Sequence, residues 1–263
     1  MKISVLFLLL FASINSVSAA GSDTAAMPAA ADYGERLAIP AVADDSEIVR
    51  HEGYSLLYSE NDEQAFWVAY LLTREETEGL EKRSGSFKAD PEIGTGSARL
   101  SDYKGSGYDR GHLAPAADLK YSKQAMNDSF YLSNMSPQKP SFNRGIWKKL
   151  EKWVRKRAAE NETLCIVTGP LLTDGPYSTI GEERLSIPKY FYKVILDFTG
   201  EEKKAIGFIL PNEKSDGPLS DFAVTVDRVE TVTGIDFFPL LDDGVEKALE
   251  SNADFNIWIT ETE

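Results

Sequence analysis

Runs of apolar residues predict a strand hairpin in the first patterned part of the chain. Residues 54–58 and 65–72 are rich in β-branched and aromatic side chains, and the polar stretch 59–63 separates them. Residues 73–107 are instead rich in glycine, serine and charged residues. We therefore predict two paired strands followed by a long surface excursion, and a loop of that length in a compact domain usually has a function.

The remaining pattern predicts one central helix among further strands. Trp147, Leu150 and Val154 recur at helical spacing within residues 147–159. Four later apolar runs, bounded by Gly-Pro and Pro-Asn punctuation, predict strands at 164–168, 191–198, 205–210 and 222–226. Residues 241–251 predict a short closing helix, and no internal repeat is visible. These elements favour one α+β domain, with a mixed or antiparallel sheet as its core and helices on its flanks.

The first twenty residues have the order of a secretory signal peptide. Lys2 gives a positive start, residues 3–14 form an almost unbroken apolar run, and the small residues 16–19 suit cleavage. The apolar run is shorter than the roughly 20 residues that a transmembrane helix needs. We therefore predict a signal peptide at residues 1–20, a secreted or periplasmic protein, and no membrane anchor.

The residues that follow the signal peptide have a different composition. Residues 21–45 are small, interrupted by proline and without apolar periodicity, which predicts a flexible leader. The folded domain is then predicted to span residues 46–263. Cys165 is the only cysteine, so no disulfide can form within the chain, and stability must come from core packing or a bound metal.

Charge is distributed unevenly along the chain. The formal net charge is −14, whereas a protein that contacts phosphates usually presents a basic face. Residues 139–157 nevertheless contain eight lysines and arginines and one acidic residue, Glu151. This stretch predicts a local positive patch on an acidic molecule. The alternative is the solvated face of a helix with no further role.

Two histidines are present, and their surroundings differ. His112 follows Asp109, Arg110 and Gly111, so two charged side chains and a flexible backbone position lie beside it. Such a group is unfavourable in a purely structural turn, and His112 is therefore a candidate catalytic residue. His51 has no comparable neighbours, and we expect it to be a surface residue.

Asn143 and Glu151 are candidate oxygen ligands for a metal ion. Inside one helix the two residues would be roughly 12 Å apart at 1.5 Å per residue. They could share one cation only if Asn143 lies in the bend before the helix, or if a water bridges Glu151. Mg²⁺ accepts such an arrangement because it keeps most of its waters. A helix-capping role for Asn143 is an equal alternative.

Several motifs together resemble the DNA/RNA non-specific endonuclease family of the ββα-metal type. The similarity includes Tyr-Asp-Arg-Gly-His-Leu-Ala-Pro at 108–115, Asn-Met-Ser-Pro-Gln at 134–138, Asn143 and Trp-Lys-Lys-Leu-Glu at 147–151. It extends over roughly residues 48–250. The resemblance implies that His112 is the general base.

The resemblance also implies roles for the remaining site residues. Asn143 would be the direct protein ligand of the metal, Glu151 would hold metal-bound water, and Asn134 would help to order the site. Arg110 would orient the site or contact phosphate. Arg83, which precedes Phe87 in the long excursion, is the candidate arginine that stabilises the charged transition state.

Two further basic residues are assigned to substrate binding. Arg144 and Lys148, the latter at the start of the basic helix, are expected to contact phosphates. Phosphate contacts carry no sequence information, so cleavage is expected to be independent of base sequence.

The implied function is a secreted, Mg²⁺-dependent endonuclease that cuts DNA and RNA and leaves 5′-phosphate and 3′-hydroxyl ends, with Mn²⁺ as a substitute metal. One alternative is a nucleic-acid-binding protein with a dead site, which the presence of His112, Asn143 and Glu151 disfavours. A two-metal phosphodiesterase would need more histidine and aspartate ligands than this chain offers. The preference between DNA and RNA is left open, as are a homodimer and an inhibitor protein as partners.

Overall fold

The computed structural model describes residues 30–199 and 202–258. The predicted signal peptide, residues 1–20, lies outside the described residues, as does the first part of the predicted leader. Within the described ranges, no helix combines the length and the hydrophobicity needed to cross a bilayer.

A seven-stranded antiparallel sheet forms the centre of the fold, with the strand order β1-β2-β3-β6-β9-β10-β11. Its strands are β1 (Ile48–His51), β2 (Tyr54–Ser59), β3 (Gln64–Thr73), β6 (Thr163–Pro170), β9 (Tyr190–Asp197), β10 (Lys204–Pro211) and β11 (Ala223–Val224). Two short ribbons complete the strands: β4 (Asp109–His112) with β5 (Met135–Gln138), and β7 (Thr179–Ile180) with β8 (Leu185–Ser186). The predicted α+β class with an antiparallel core is confirmed.

Eight α-helices accompany the sheet. They are α1 (Ala30–Ala38), α2 (Arg74–Thr77), α3 (Leu100–Tyr103), α4 (Lys123–Asp128), α5 (Pro140–Phe142), α6 (Lys148–Asn161), α7 (Val226–Thr233) and α8 (Asp243–Glu250). The predicted hairpin, central helix and closing helix correspond to β2–β3, α6 and α8. This count covers only residues 30–199 and 202–258.

The sheet separates two hydrophobic cores. On one face, Leu150 and Val154 of α6 pack with Ile166 and Ile195 of the central strands. On the other face lie α1, α7 and the loop that contains Phe237. The central strands β6 and β9 are buried along almost their whole length, which explains why their sequences are continuous apolar runs rather than alternating ones.

The predicted strand at 222–226 is mostly wrong. Only Ala223 and Val224 pair with β10. The hydroxyl of Thr225 accepts a hydrogen bond from the Arg228 backbone N–H at 3.0 Å, so Thr225 caps a helix that begins at Val226. The apolar run therefore spans the end of a strand and the buried face of α7.

The prediction of a flexible leader is wrong for residues 30–45. This segment contains α1, in which Leu37 is 0% exposed and Ala38 is 1% exposed. The thiol of Cys165 donates to the carbonyl of Gly34 at 3.5 Å, and the Ala41 N–H donates to the carbonyl of Asp236 at 2.9 Å. Contacts with distant parts of the chain, which local composition does not reveal, hold this segment on the sheet.

The side chain of His51 is buried, so its prediction as a surface residue is also wrong. Its side chain is 5% exposed, and its Nε2 lies 2.8 Å from the Asp90 carboxylate. Ser133 donates to the same carboxylate at 2.5 Å. Asp90 lies in the long excursion that follows β3, so this network fixes the excursion to β1 and to the segment just before Asn134.

Candidate active site

A two-stranded ribbon and a helix form the candidate active site. Strand β4 pairs with β5 in antiparallel register, with His112 opposite Met135 and Gly111 opposite Ser136. The chain then passes through α5 and a π-helical turn, Asn143–Trp147, into α6. The ββα arrangement implied by the sequence resemblance is therefore present.

Gly111 allows the two strands to approach closely. A Cβ atom at this position would lie 2.1 Å from the side chain of Gln138, and Gln138 is fully buried. Any side chain at residue 111 would require the buried Gln138 side chain to move. The glycine next to the histidine is thus a steric requirement.

His112 is buried at the end of β4. Its ring lies 5.1 Å from the Phe130 ring, edge to face, and 5.8 Å from the Phe87 ring. Its Nε2 atom is buried and has no hydrogen-bond partner among the described residues. Burial, reinforced by the charges of Arg83 and Arg110, lowers the pKa of His112 to about 3. The imidazole is therefore neutral at pH 7 and able to accept a proton.

Asn134 fixes the backbone that follows His112. Its Oδ1 accepts from the Ala114 N–H, and its Nδ2 donates to the carbonyls of Ala114 and Ser129, each at 2.9 Å. The Leu113 N–H donates to the Asn134 carbonyl at 3.0 Å. All these groups are buried, so the side chain of Asn134 holds the exit of β4 in a single conformation.

Asn143 lies in the bend before α6 and not within that helix. Gly145, two residues later, has non-helical backbone angles of φ −101° and ψ −113°. The Asn143 Nδ2 donates to Asp109 at 3.0 Å, so the side chain bonds to a carboxylate and does not cap a helix. Among the described residues, no donor reaches its Oδ1, which leaves this oxygen available to a cation. The role of Asn143 as a metal ligand stays a prediction.

Arg144 is paired with Asp109. Its Nε and one terminal nitrogen donate to the two carboxylate oxygens at 2.8 and 2.6 Å. Burial raises the pKa of Asp109, but the hydrogen bonds from Arg144 and Asn143 outweigh it and hold that pKa below its ordinary value. Asp109 thus orients two residues that the sequence assigned to the metal and to phosphate. The phosphate contact of Arg144 stays a prediction.

Glu151 lies among buried charges that sequence reasoning did not bring together. Burial raises its pKa; the charge of Lys193 opposes this shift and that of Asp118 adds to it. Asp118 is paired with Arg155 at 2.5 Å and accepts a hydrogen bond from Tyr70 at 2.9 Å. The charges of this buried network therefore act on Glu151.

Lys193 is the least expected member of this network. It is 0% exposed, and its Nζ has no hydrogen-bond partner among the described residues. The Nζ lies 5.0 Å from the Trp147 ring, a cation–π contact that partly replaces hydration. Burial lowers the pKa of this ammonium group. A lysine in the middle of an otherwise apolar central strand is the sequence signal that could have found it.

The two candidate arginines lie beside the histidine. The Arg110 guanidinium carbon is 4.3 Å from the Phe87 ring centre, and that of Arg83 is 5.0 Å from the Phe130 ring centre. The charge of Arg83 lowers the pKa of both His112 and Glu151. The structure therefore brings Arg83 to the site from the long excursion.

The predicted positive patch is smaller than its sequence suggests. Four of its eight basic residues pair with acidic side chains: Lys139 with Glu213, Arg144 with Asp109, Arg155 with Asp118 and Arg157 with Glu160. Arg157 is fully buried. Lys148, Lys149 and Lys152 are exposed and have no ion pair within the described ranges. The usable positive surface is therefore the exposed part of α6.

Comparisons with known proteins agree with this geometry. Residues 35–244 match the family described as DNA/RNA non-specific endonuclease. The chain is 38% identical over 212 residues to Nuclease C1 of Cunninghamella echinulata var. echinulata, covering 74% of this chain and 84% of that protein. It is 35% identical over 208 residues to human mitochondrial Endonuclease G, covering 74% and 70%. A solved structure of the EndoG/EndoGI complex superposes with a TM-score of 0.74 at 31% identity, covering 82% of this chain and 94% of that one.

Proposed function

This chain belongs to the DNA/RNA non-specific endonuclease family, whose members are metal-dependent nucleases, and we propose that it is a secreted or periplasmic enzyme that uses Mg²⁺ to hydrolyse both DNA and RNA. The environment of His112 carries the proposal. Its neutral imidazole has a buried, unpartnered Nε2 on the same ββα module as two oxygen donors, Asn143 and Glu151. A general base of this kind needs no strong partner in the resting enzyme.

The residues present fit a hard divalent cation. Asn143 offers an amide oxygen that accepts no hydrogen bond from the described residues. Glu151, further along the chain in α6, offers a carboxylate. Oxygen donors and a small number of protein ligands are what Mg²⁺ accepts, because it retains several waters. Asn143 would bind the ion directly, and Glu151 would hold its hydration shell; Mn²⁺ would substitute. When bound, the ion would neutralise charge that develops on the phosphate and on the departing 3′ oxygen.

His112 supplies the proton acceptor in the proposed hydrolysis. The neutral imidazole takes a proton from a water as the oxygen of that water bonds to phosphorus. The bond from phosphorus to the 3′ oxygen breaks, and the 3′ oxygen takes its proton from solvent. The products are a 5′-phosphate and a 3′-hydroxyl. Because the pKa of His112 is low, the base is in its active form throughout the neutral range.

The arginines and the exposed lysines of α6 would contact phosphate. Arg83 and Arg110 would donate to the oxygens of the five-coordinate transition state. Lys148 would bind a neighbouring phosphate, and Arg144 would do so by exchanging or sharing its contact with Asp109. Such contacts read the backbone and not the bases, so cleavage would not depend on sequence.

The first experiment tests the base and the metal together. Circular plasmid DNA and structured RNA are incubated with the protein in Mg²⁺ or in a chelator. Wild type should nick circular DNA and cut RNA only with Mg²⁺, and His112→Ala should lose at least about 100-fold in rate. Leu196→Ala, in the hydrophobic core on the opposite face of the sheet, is the control: it should lose stability but keep activity in its folded fraction. Equal activity in His112→Ala and wild type would refute the proposed base.

Export is a separate part of the proposal, supported by the composition of residues 1–20. This segment contains one lysine and no arginine, whereas mitochondrial presequences are arginine-rich and amphipathic. Expression of the full chain in its own host, followed by mass spectrometry of its N-terminus, tests this point. A mature N-terminus near residue 21 in the periplasm or medium is expected. An uncleaved chain confined to the cytoplasm would contradict it.

A further inference from the structure

Three carboxylates converge on the face of the sheet opposite the active site. Asp227 and Glu230 lie three residues apart on α7, and Glu250 is the last residue of α8. One oxygen from each of the three lies within 4.8 Å of the others. Residues i and i+3 share one side of a helix, so α7 presents both of its carboxylates to the end of α8.

Glu250 is the observation that separates this group from an ordinary acidic surface. It is 5% exposed, and its Oε1 is buried without any hydrogen-bond partner among the described residues. A buried carboxylate oxygen without a donor is unfavourable. Within residues 30–199 and 202–258, no lysine or arginine nitrogen lies within 4 Å of Asp227, Glu230 or Glu250. One oxygen of the buried Glu250 carboxylate therefore lies against the other two carboxylates, and the group lacks a positive partner there.

The surroundings increase the negative potential at this point. Burial is the largest cause that raises the pKa of Glu250. The negative charges of Glu230 and Glu246 are the next largest causes, and those of Asp227 and Asp236 add to them. Glu230 is itself oriented, because its Oε1 accepts the Phe237 N–H at 2.8 Å. The fold thus holds several like charges together on two helices and the loop between them.

We propose that Asp227, Glu230 and Glu250 bind a second divalent cation, Ca²⁺, that clamps α7 to the end of α8. Ca²⁺ prefers oxygen ligands at about 2.4 Å, so two ligands on opposite sides of the ion are about 4.8 Å apart. The three carboxylates can therefore surround one ion with little movement. Asp227 is exposed, which leaves room for the waters that complete six to eight ligands. Mg²⁺ is disfavoured here because it takes one or two carboxylates and keeps its waters.

This site is separate from the catalytic one. Val226 and Val229 of α7 pack in the hydrophobic core on one face of the sheet, whereas Leu150 of α6 and Trp147 pack in the core on the other. An ion at α7 and α8 would act on stability and not on the chemical step. The proposal consequently does not depend on the proposed nuclease mechanism.

Thermal unfolding with CaCl₂ as the only added ligand tests the site. The purified full chain is treated with a chelator, dialysed, and unfolded with and without millimolar CaCl₂. Ca²⁺ at about 100 times its dissociation constant should raise the Tm of wild type by at least about 5 °C. Glu250→Gln, which keeps the side-chain shape, should fold in chelator at least as stably as wild type and lose most of the Ca²⁺ shift. Asp227→Asn should reduce it.

The active-site variant Asn143→Ala is the matched control, since it removes the proposed catalytic ligand and leaves α7 and α8 unchanged. It should keep the full Ca²⁺ shift. The same Tm for wild type with and without Ca²⁺ would overturn the proposal. A shift that survives in Glu250→Gln, or one that disappears in Asn143→Ala, would also overturn it, because the ion would then bind elsewhere.

Discussion

Replacement of Asn134 by alanine tests whether the backbone after His112 is held by one side chain. The change removes three buried hydrogen bonds, one from the Ala114 N–H and two to the carbonyls of Ala114 and Ser129. Each buried backbone group that loses its partner costs about 1–3 kcal/mol. We therefore expect Asn134→Ala to lower the free energy of unfolding by at least about 3 kcal/mol, partly relieved by water that enters the vacated space.

The effect on catalysis should be separable from the effect on stability. A displacement of about 1 Å at a catalytic group costs roughly 100-fold in rate. Because Asn134 touches the backbone beside His112 and not the substrate, kcat should fall about 100-fold while KM changes by no more than about threefold. Stability is measured by urea unfolding, and kcat and KM are measured on plasmid DNA at a temperature at which every variant is folded.

Leu196→Ala is the matched control for Asn134→Ala. Leu196 is fully buried in the core on the opposite face of the sheet, and its truncation should cost about 2–5 kcal/mol. This variant should match the stability loss of Asn134→Ala and keep kcat within about threefold of wild type. If the two variants lost kcat equally, the loss would reflect general destabilisation, and the positioning role of Asn134 would be refuted. Unchanged kcat in Asn134→Ala would refute it as well.

Three further results are expected. The pKa of His112 is about 3 in the folded state and about 6.5 in the unfolded state, so between these pH values the unfolded state binds one more proton. The free energy of unfolding of wild type should therefore fall by about 2 kcal/mol more than that of His112→Gln between pH 7.5 and 5. Parallel pH dependences of urea unfolding for the two proteins would contradict this. Arg155→Met leaves the Asp118 carboxylate buried without its cation and should lower the free energy of unfolding by about 3–5 kcal/mol. The double variant that adds Asp118→Asn should recover part of this stability. If it recovered none, the ion pair would not be the cause of the loss. Gly111→Ala places a methyl group against the Gln138 side chain and should lower kcat at least about tenfold by moving β4, whereas Gly94→Ala, which meets no atom within 4 Å, should not; equal kcat values for the two would dismiss the steric argument.

Local sequence pattern was sufficient where the structure itself is local. The central strands are continuous apolar runs because both of their faces are buried, and α6 shows its apolar stripe at Leu150 and Val154. The resemblance to the family assigned the residues of the ββα module, whose strands β4 and β5 and the start of α6 lie within 44 residues, from Asp109 to Lys152. In each case the residues that determine the structure are close in sequence or follow a simple period.

Prediction failed where a distant residue determines the environment. His51 is buried because Asp90, 39 residues later, bonds to it; its own neighbours Arg50 and Glu52 suggest a surface position. Lys193 lies at the active-site network because the sheet places β9 beneath α6, and a lysine in isolation predicts exposure. The segment 30–45, which contains α1, is held by contacts with Cys165 and Asp236. Tertiary contacts override local composition at all three places.

Exposed lysines and a group of carboxylates lie on opposite faces of the sheet. The exposed lysines of α6 lie on the face that carries His112, whereas the other face carries the carboxylates of α7 and α8. A net charge of −14 would repel a polyanion at long range, but the Debye length is about 8 Å at physiological ionic strength. The sheet and its packed helices separate the two faces by more than that distance, because adjacent layers alone are about 10 Å apart. A nucleic acid near α6 would therefore experience the lysines and arginines of the site more strongly than the acidic face, and this allows an acidic protein to act on an acidic polymer.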